Sequence, residues 1–194
     1  MNQTSADNHA SVPDQDYQRE ELHLRRIEMR GYRRSDGLFE VEGWVTDQKT
    51  DEFTIPAPGR TVPAGDFVHR MGVRLVFDES LMVHEVHTMT RDAPFEHCAE
   101  GGRALSSMKG VRMVSGWTNE VRSRLRGAAS CTHLMEILIP MATAAHQSLG
   151  YIRINQPARV DENGRPRQID SCYGYAADGP VVLHRWPQFH KSNM

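Results

Sequence analysis

A cysteine and a nearby histidine carry the first chemical signal in the sequence. Cys131 precedes Thr132 and His133 at a predicted helix start, where the positive end of the helix dipole favours a thiolate. Cys131 could therefore be a nucleophile or a metal ligand. It could equally be a small buried residue that begins the apolar stripe of the helix. His133 lies two positions further on, so both side chains reach one ion only if the first helical turn is irregular.

His69 is the second candidate, because it interrupts an apolar strand face. Side chains of a strand point to alternate faces, so a strand from Phe67 to Phe77 places His69 on the same face as Met71 and Val73. A neutral imidazole in such a place needs a partner, and a metal, a substrate or a buried carboxylate would each serve. A histidine satisfied by a backbone carbonyl is the competing interpretation.

Arginines supply candidate groups for holding an anion. Arg34 belongs to an arginine-rich stretch and Arg70 follows His69, and a guanidinium can bind a carboxylate or phosphate through two bonds. For the arginine-rich stretch, however, the acidic residues that come after it favour cross-strand charge pairs on the solvated side of a hairpin. These acidic residues are Asp36, Glu40, Glu42 and Asp47.

The elements that would position these residues are predicted from periodicity. Asp36-Gly37 between apolar runs predicts a hairpin, and two further strands are predicted from Phe67 to Asp92. Helices are predicted over about 97–109, 117–126 and 131–149, the last containing Pro140. Two extended pieces around Asp178-Gly179 predict a final hairpin. Strands, then helices, then strands indicate an α+β fold, with an antiparallel sheet covered on one face by about three helices.

Composition excludes several classes of protein. The 194 residues carry a formal charge of −2, which leaves no electrostatic footprint for nucleic acid or a membrane surface. No apolar run is long enough to span a membrane, and the first residues do not resemble a signal peptide. Three cysteines, Cys98, Cys131 and Cys172, fit reduced thiols better than a disulfide framework. We therefore expect a cytoplasmic protein with a small-molecule substrate, and a homo-oligomer is left open.

Domain organisation is simple by the same criteria. Residues 1–21 contain little that could be buried and are predicted to form a disordered tail. Residues 22–194 are predicted to form a single α+β domain, since one core commonly organises a chain of this length. The sequence lacks the common nucleotide-binding, hydrolase and zinc-ribbon motifs, so its function has to be argued from less specific features.

The order of several segments resembles a bacterial family known as a domain of unknown function. The resemblance runs from about Leu22 to Trp186. Members of that family occur in gene neighbourhoods for degrading aromatic or acyl-CoA compounds, which implies a catabolic role for this chain. The segments that carry the resemblance are RRIEMRGYRRSDGLFEVEGWVTDQK, HRMGVRLVFDESLMVHEVHTMTRDAPFEHC, MKGVRMVSGWTNEVRSRLRG, SCTHLMEIL and IDSCYGYAADGPVV.

A second resemblance concerns the order of possible ligands. The order of these residues is similar to that in IscU-type iron–sulfur cluster scaffold proteins. It begins with His69, continues through two strands to Cys98, and ends with Cys131-Thr132-His133. That resemblance implies an IscU/NifU-like core in which His69, Cys98 and Cys131 converge on zinc or iron. His69 is not the cysteine of those scaffolds, so the similarity is to their fold and pocket more than to cluster assembly. Such a His/Cys set would suit tetrahedral zinc with an open position, or a thiol paired with an imidazole.

Three functions remain open from the sequence. The first is an enzyme for a small aromatic or acyl substrate, with Cys131, His69 and His133 as catalytic residues. In this hypothesis Arg34 and Arg70 bind the substrate, and a metal, if present, is held by Cys98, Cys131 and His69. The second is a non-catalytic metal or iron–sulfur carrier. The third is an accessory binding subunit of a catabolic complex.

Overall fold

The computed structural model describes residues 17–154 and 156–192. The described residues fall into two compact units, which divide between Ser148 and Leu149. Of the predicted tail, residues 1–16 lie outside the described part, and residues 17–21 are exposed and precede the first strand.

A four-stranded antiparallel sheet organises the first unit. Its strands are β1 (Leu24–Arg33), β2 (Phe39–Gln48), β5 (Phe67–Phe77) and β6 (Val83–Asp92), in the order β1-β2-β5-β6. A separate short hairpin pairs β3 (Phe53–Thr54) with β4 (Thr61–Val62). The predicted Asp36-Gly37 turn joins β1 to β2, and Gly37 takes the positive φ of 87° that such a turn requires. The predicted long hairpin and the two strands after it are confirmed.

Helical segments come after the sheet and cover one of its faces. They are a 3-10 segment (Glu96–Met108), α1 (Trp117–Leu125), a short 3-10 turn (Gly127–Ala129) and α2 (Thr132–Ser148). The first predicted helix is thus a series of 3-10 turns, whereas α1 and α2 agree with their predictions within one residue at either end. The segment Glu96–Met108 packs on β6, and α2 packs on β1, β2 and β5. Helix α1 contacts both the segment Glu96–Met108 and α2. The α+β fold predicted from the sequence is confirmed.

The core of this unit lies between the sheet and α2. Odd-numbered residues of β2, from Phe39 to Asp47, are buried and alternate with partly exposed ones, as expected for a strand with one covered face. Gly43 lies in this row, and a Cβ there would come within 3.0 Å of Met141 on α2. The helix therefore crosses the sheet at a point where a side chain is missing.

The second unit is built from short helices. They are α3 (Gly150–Arg153), α4 (Pro180–Arg185) and 3-10 turns at Tyr173–Tyr175 and Pro187–Phe189. Its small core contains Ile169, Ala177 and Val182. The predicted hairpin around Asp178-Gly179 is wrong: Pro180 comes directly after Gly179 and starts α4, because proline has a helical φ and needs no hydrogen-bond acceptor at that position.

Helices long enough for a membrane are absent from the described ranges. Over residues 17–154 and 156–192, no helix combines the length and the apolar character needed to cross a bilayer.

Candidate metal centre

Three side chains from three elements meet at one end of the covered sheet face. Asp47 is near the end of β2, His69 pairs with it across the sheet on β5, and His133 is in the first turn of α2. One nitrogen of each imidazole and one Asp47 oxygen lie within 4.8 Å of one another. Among the residues that the structure describes, no other group of three His, Cys, Asp or Glu side chains is so close.

The spacing of the donor atoms suits a divalent ion. His69 Nδ1 lies 3.1 Å and His133 Nε2 lies 3.8 Å from Asp47 Oδ2. Ligands at about 2.0–2.2 Å from zinc in tetrahedral geometry are separated by roughly 3.3–3.6 Å. His69 Nδ1 is buried and has no hydrogen-bond partner in the described part of the chain, although Oδ2 is within range. This distance suits two ligands of a shared ion as well as a hydrogen bond between the imidazole and the carboxylate.

The two imidazoles contact each other with their ring planes tilted by 33°, and both favour their neutral forms. Their ring centroids are 3.8 Å apart. Burial lowers the pKa of His69 to about 4, with a further lowering from the adjacent His133. Burial also lowers the pKa of His133, and the nearby Arg25 acts in the same direction. Neutral imidazole is the form that binds metals, so neither ring has to lose a proton at neutral pH to become a ligand.

Asp47 is held by an arginine on the neighbouring strand. Arg25 Nε and Nη2 donate to its two oxygens at 2.7 and 2.9 Å, and His23 Nε2 lies 3.1 Å from Oδ1. Asp47 is only 2% exposed. Burial alone would raise the pKa of Asp47, but the Arg25 hydrogen bonds and charge outweigh it, and the pKa lies below its usual value. The carboxylate is therefore ionised and oriented at neutral pH.

The structure places the predicted cysteines differently from the two histidines. Cys131 Sγ lies 3.8 Å from Met71 Sδ, and Met71 is two residues from His69 on the same strand face. Cys131 is thus beside the donor group but is not one of its members. Cys98 is partly buried in the segment Glu96–Met108 and is also outside the group.

The predicted anion-holding arginines lie elsewhere and are engaged with acidic side chains. Arg34 pairs with Asp36 and Glu40 and is nine residues along the hairpin from Arg25, roughly 30 Å in an extended strand. Arg70 pairs with Asp92 and, being adjacent to His69 in β5, points to the opposite face of the sheet.

Three residues of the site are missed by sequence reasoning: Asp47, Arg25 and His23. Asp47 was predicted to belong to a cross-strand charge pair on the solvated side of the hairpin. It does pair with Arg25 across the strands, but the prediction is wrong about solvent exposure, because Asp47 is buried. The signal that could have found it is the period of two in β2, where Asp47 continues the buried row of Val41 and Val45.

Gly101 fixes the start of α2. A side chain at this position is expected to disturb the candidate metal centre from a distance. The Gly101 carbonyl accepts the Cys131 N–H, and a Cβ at Gly101 would lie 2.8 Å from the Cys131 backbone nitrogen. In Gly101→Ala the helix start must shift, carrying His133 with it, at a cost of about 1–3 kcal/mol. We expect urea unfolding to show this loss and calorimetry to show weaker zinc binding.

The matched control for that prediction is Gly150→Ala. A Cβ at Gly150 meets nothing within 4 Å, so stability and zinc affinity should both stay close to wild type. Unchanged zinc affinity in folded Gly101→Ala protein would show that the position of the helix start does not control the site.

The fold and the site together define an α+β protein whose sheet and helix present a group of two histidines and one carboxylate. The chain belongs to the family described as "Protein of unknown function (DUF2889)", whose model matches residues 23–147. That range contains Asp47, His69 and His133 together with Arg25 and His23. Comparison with curated proteins and with solved structures finds no match.

Proposed function

We propose that this protein is a metal-dependent enzyme that acts on a small aromatic or acyl substrate. Asp47, His69 and His133 are the ligands of a divalent ion, zinc or iron. His23 and Arg25 hold Asp47 in place. The observation that carries the proposal is the convergence of these three donor atoms within 4.8 Å of one another.

A set of three protein ligands favours catalysis over a structural role. Structural zinc sites are closed by four protein ligands, whereas catalytic sites use three and leave a position for water or substrate. Two histidines with one carboxylate also form the ligand set of non-haem iron oxygenases. A bound ion would supply Lewis acidity or activate a water molecule. The chain itself supplies neutral imidazoles and an ionised, fixed carboxylate.

The outer contacts of the site agree with a metal role. Metal-binding carboxylates are commonly hydrogen-bonded by further groups that fix their orientation. Arg25 and His23 are placed to do this at Asp47 Oδ1, at 2.7 and 3.1 Å. His69 and His133 are 15% and 24% exposed, so the donor group is shielded and still reachable from solvent.

The substrate class and the compartment rest on the sequence. The aromatic or acyl substrate comes from the catabolic setting that the family resemblance implies. We place the protein in the cytoplasm, since Cys98, Cys131 and Cys172 are all free thiols, as is usual in a reducing compartment.

Metal content of protein purified without chelator tests the proposal. We expect about one zinc or iron per chain by elemental mass spectrometry in the wild type. His133→Gln should lose most of it, since even the loss of residues behind the ligands commonly costs 10–100-fold in affinity.

The matched control is His87→Gln. His87 also contacts a carboxylate, Glu85, at 2.8 Å, but it belongs to no group of three donors among the described residues. Its metal content should equal that of the wild type. Absence of metal from the wild type even after incubation with zinc or iron(II), or equal losses in the two variants, would overturn the proposal.

A non-catalytic metal carrier is the second candidate, and the contact between Cys131 and Met71 favours it. Two sulfur atoms 3.8 Å apart beside two histidines offer soft ligands such as copper(I) and iron–sulfur clusters prefer. A carrier would bind its metal through Cys131, so Cys131→Ser would abolish binding, whereas the enzyme proposed above would keep its ion in that variant.

A further inference from the structure

We infer that Arg25 is the anchor for a carboxylate group on the substrate, which would bridge the ion and the guanidinium. The inference rests on the proposed metal function and names the chemical class of its substrate. It replaces Arg34 and Arg70, which lie away from the donor group, as the site's anion-binding residue.

Arg25 contacts the donor group through Asp47, and it is placed between two acidic side chains. It lies opposite Asp47 in the register of β1 and β2. Its Nε and Nη2 contact Asp47, while Nη1 is 3.6 Å from Glu136 on α2. The side chain is 39% exposed, so part of it is open to solvent.

The two oxygens of Asp47 have different neighbours. Oδ2 is the oxygen near the histidines, at 3.1 Å from His69 and 3.8 Å from His133. Oδ1 receives the Arg25 Nε at 2.7 Å. An ion on Oδ2 would compete with Arg25 Nη2 for that oxygen, whereas the bond from Nε to Oδ1 could persist. Metal binding would therefore free a guanidinium N–H directly beside the ion.

The charge balance calls for an anion at this place. Metal-bound imidazoles are neutral. Without the ion, the positive charge of Arg25 and the negative charges of Asp47 and Glu136 add up to a single negative charge. A divalent ion changes that to a single positive charge. A carboxylate neutralises it and fits the geometry, because one oxygen can bind the ion while the other accepts from the planar guanidinium.

Calorimetric titration of zinc-loaded protein with benzoate and with benzamide tests this inference. Benzamide has nearly the same shape without the charge. We expect benzoate to bind about 10–100-fold more tightly than benzamide, and Arg25→Gln, loaded to the same zinc content as the wild type, to lose a similar factor for benzoate, as is typical when a charged hydrogen bond is removed. Arg25→Lys, which keeps the charge but not the planar fork, should lose less. Zinc content is measured first in every sample.

Arg26→Gln is the matched control. Arg26 is the next residue on β1, faces the opposite side of the sheet and is 3.5 Å from Gln48. The variant has the same net charge as Arg25→Gln and should bind benzoate like the wild type. Stoichiometric zinc with equal binding of benzoate and benzamide, or with benzoate binding unchanged in both Arg25 variants, overturns the inference and leaves the metal centre intact. Failure of the wild type to bind zinc or iron overturns both proposals.

Discussion

Asp47→Asn is expected to abolish stoichiometric metal binding and to reduce stability. Asparagine keeps the shape of the side chain but removes the charge that the ion and Arg25 both need. Zinc affinity should fall by at least about 100-fold. The free energy of unfolding of the metal-free protein should fall by about 1–3 kcal/mol, because charge-assisted hydrogen bonds to a buried carboxylate are lost. Calorimetry and urea unfolding measure the two effects separately.

Asp92→Asn is the control for that substitution. Asp92 also pairs with an arginine across the sheet, since Arg70 Nε lies 2.7 Å from its Oδ2. Because Asp92 is more exposed than Asp47 and belongs to no group of three donors among the described residues, the variant should bind zinc normally and lose less than about 1 kcal/mol. Wild-type zinc affinity in folded Asp47→Asn protein would contradict the assignment of Asp47 as a ligand.

Acid is expected to destabilise the metal-free protein from about pH 6.5 downwards, which starts above the range in which carboxylates titrate. The pKa of His69 is about 4 in the folded chain, against about 6.5 in the unfolded chain. The unfolded state therefore binds a proton first, and stability is lost as the pH falls from about 6.5 towards 4. The loss between pH 7 and pH 4.5 should be about 2–3 kcal/mol from His69, and the lowered pKa of His133 acts in the same direction.

The groups around His69 allow this acid effect to be isolated. The pKa of Asp47 lies below its usual 3.8, so its own contribution is lost below that pH, outside the window. Urea unfolding with a chelator present, at pH 7 and pH 4.5, gives the measurement. In His69→Gln the loss of stability between pH 7 and pH 4.5 should be smaller than in the wild type by the about 2–3 kcal/mol assigned to His69. An equal loss of stability in His69→Gln and in the wild type would show that His69 is not the titrating group.

Much of the sheet and of α2 could be predicted because local patterns and burial agree there. The alternation around His69 gives both the strand and its covered face, and the apolar period after Cys131 gives α2. The prediction of the last hairpin failed because an Asp-Gly pair predicts a turn but does not determine the structure of the next residues, and Pro180 begins a helix.

The candidate centre was harder to predict because its parts are distant in sequence. His69 and His133 can be singled out individually, but only strand register and the placement of α2 bring them together. In the sequence, Asp47 looks like one of several charged residues in a solvated hairpin. It is buried because α2 packs over this face of the sheet. Cys131 has the stronger chemical signal, yet its side chain turns to Met71, as a small apolar residue would.

X-ray absorption spectroscopy of zinc-loaded wild-type protein tests the central claim most directly. The ligand set of Asp47, His69 and His133 predicts stoichiometric zinc with only nitrogen and oxygen neighbours at about 2.0–2.2 Å, including two imidazoles. A sulfur neighbour at about 2.3 Å would indicate Cys131 as a ligand. That result, fewer than two imidazoles, or failure to load either zinc or iron(II) would contradict the account.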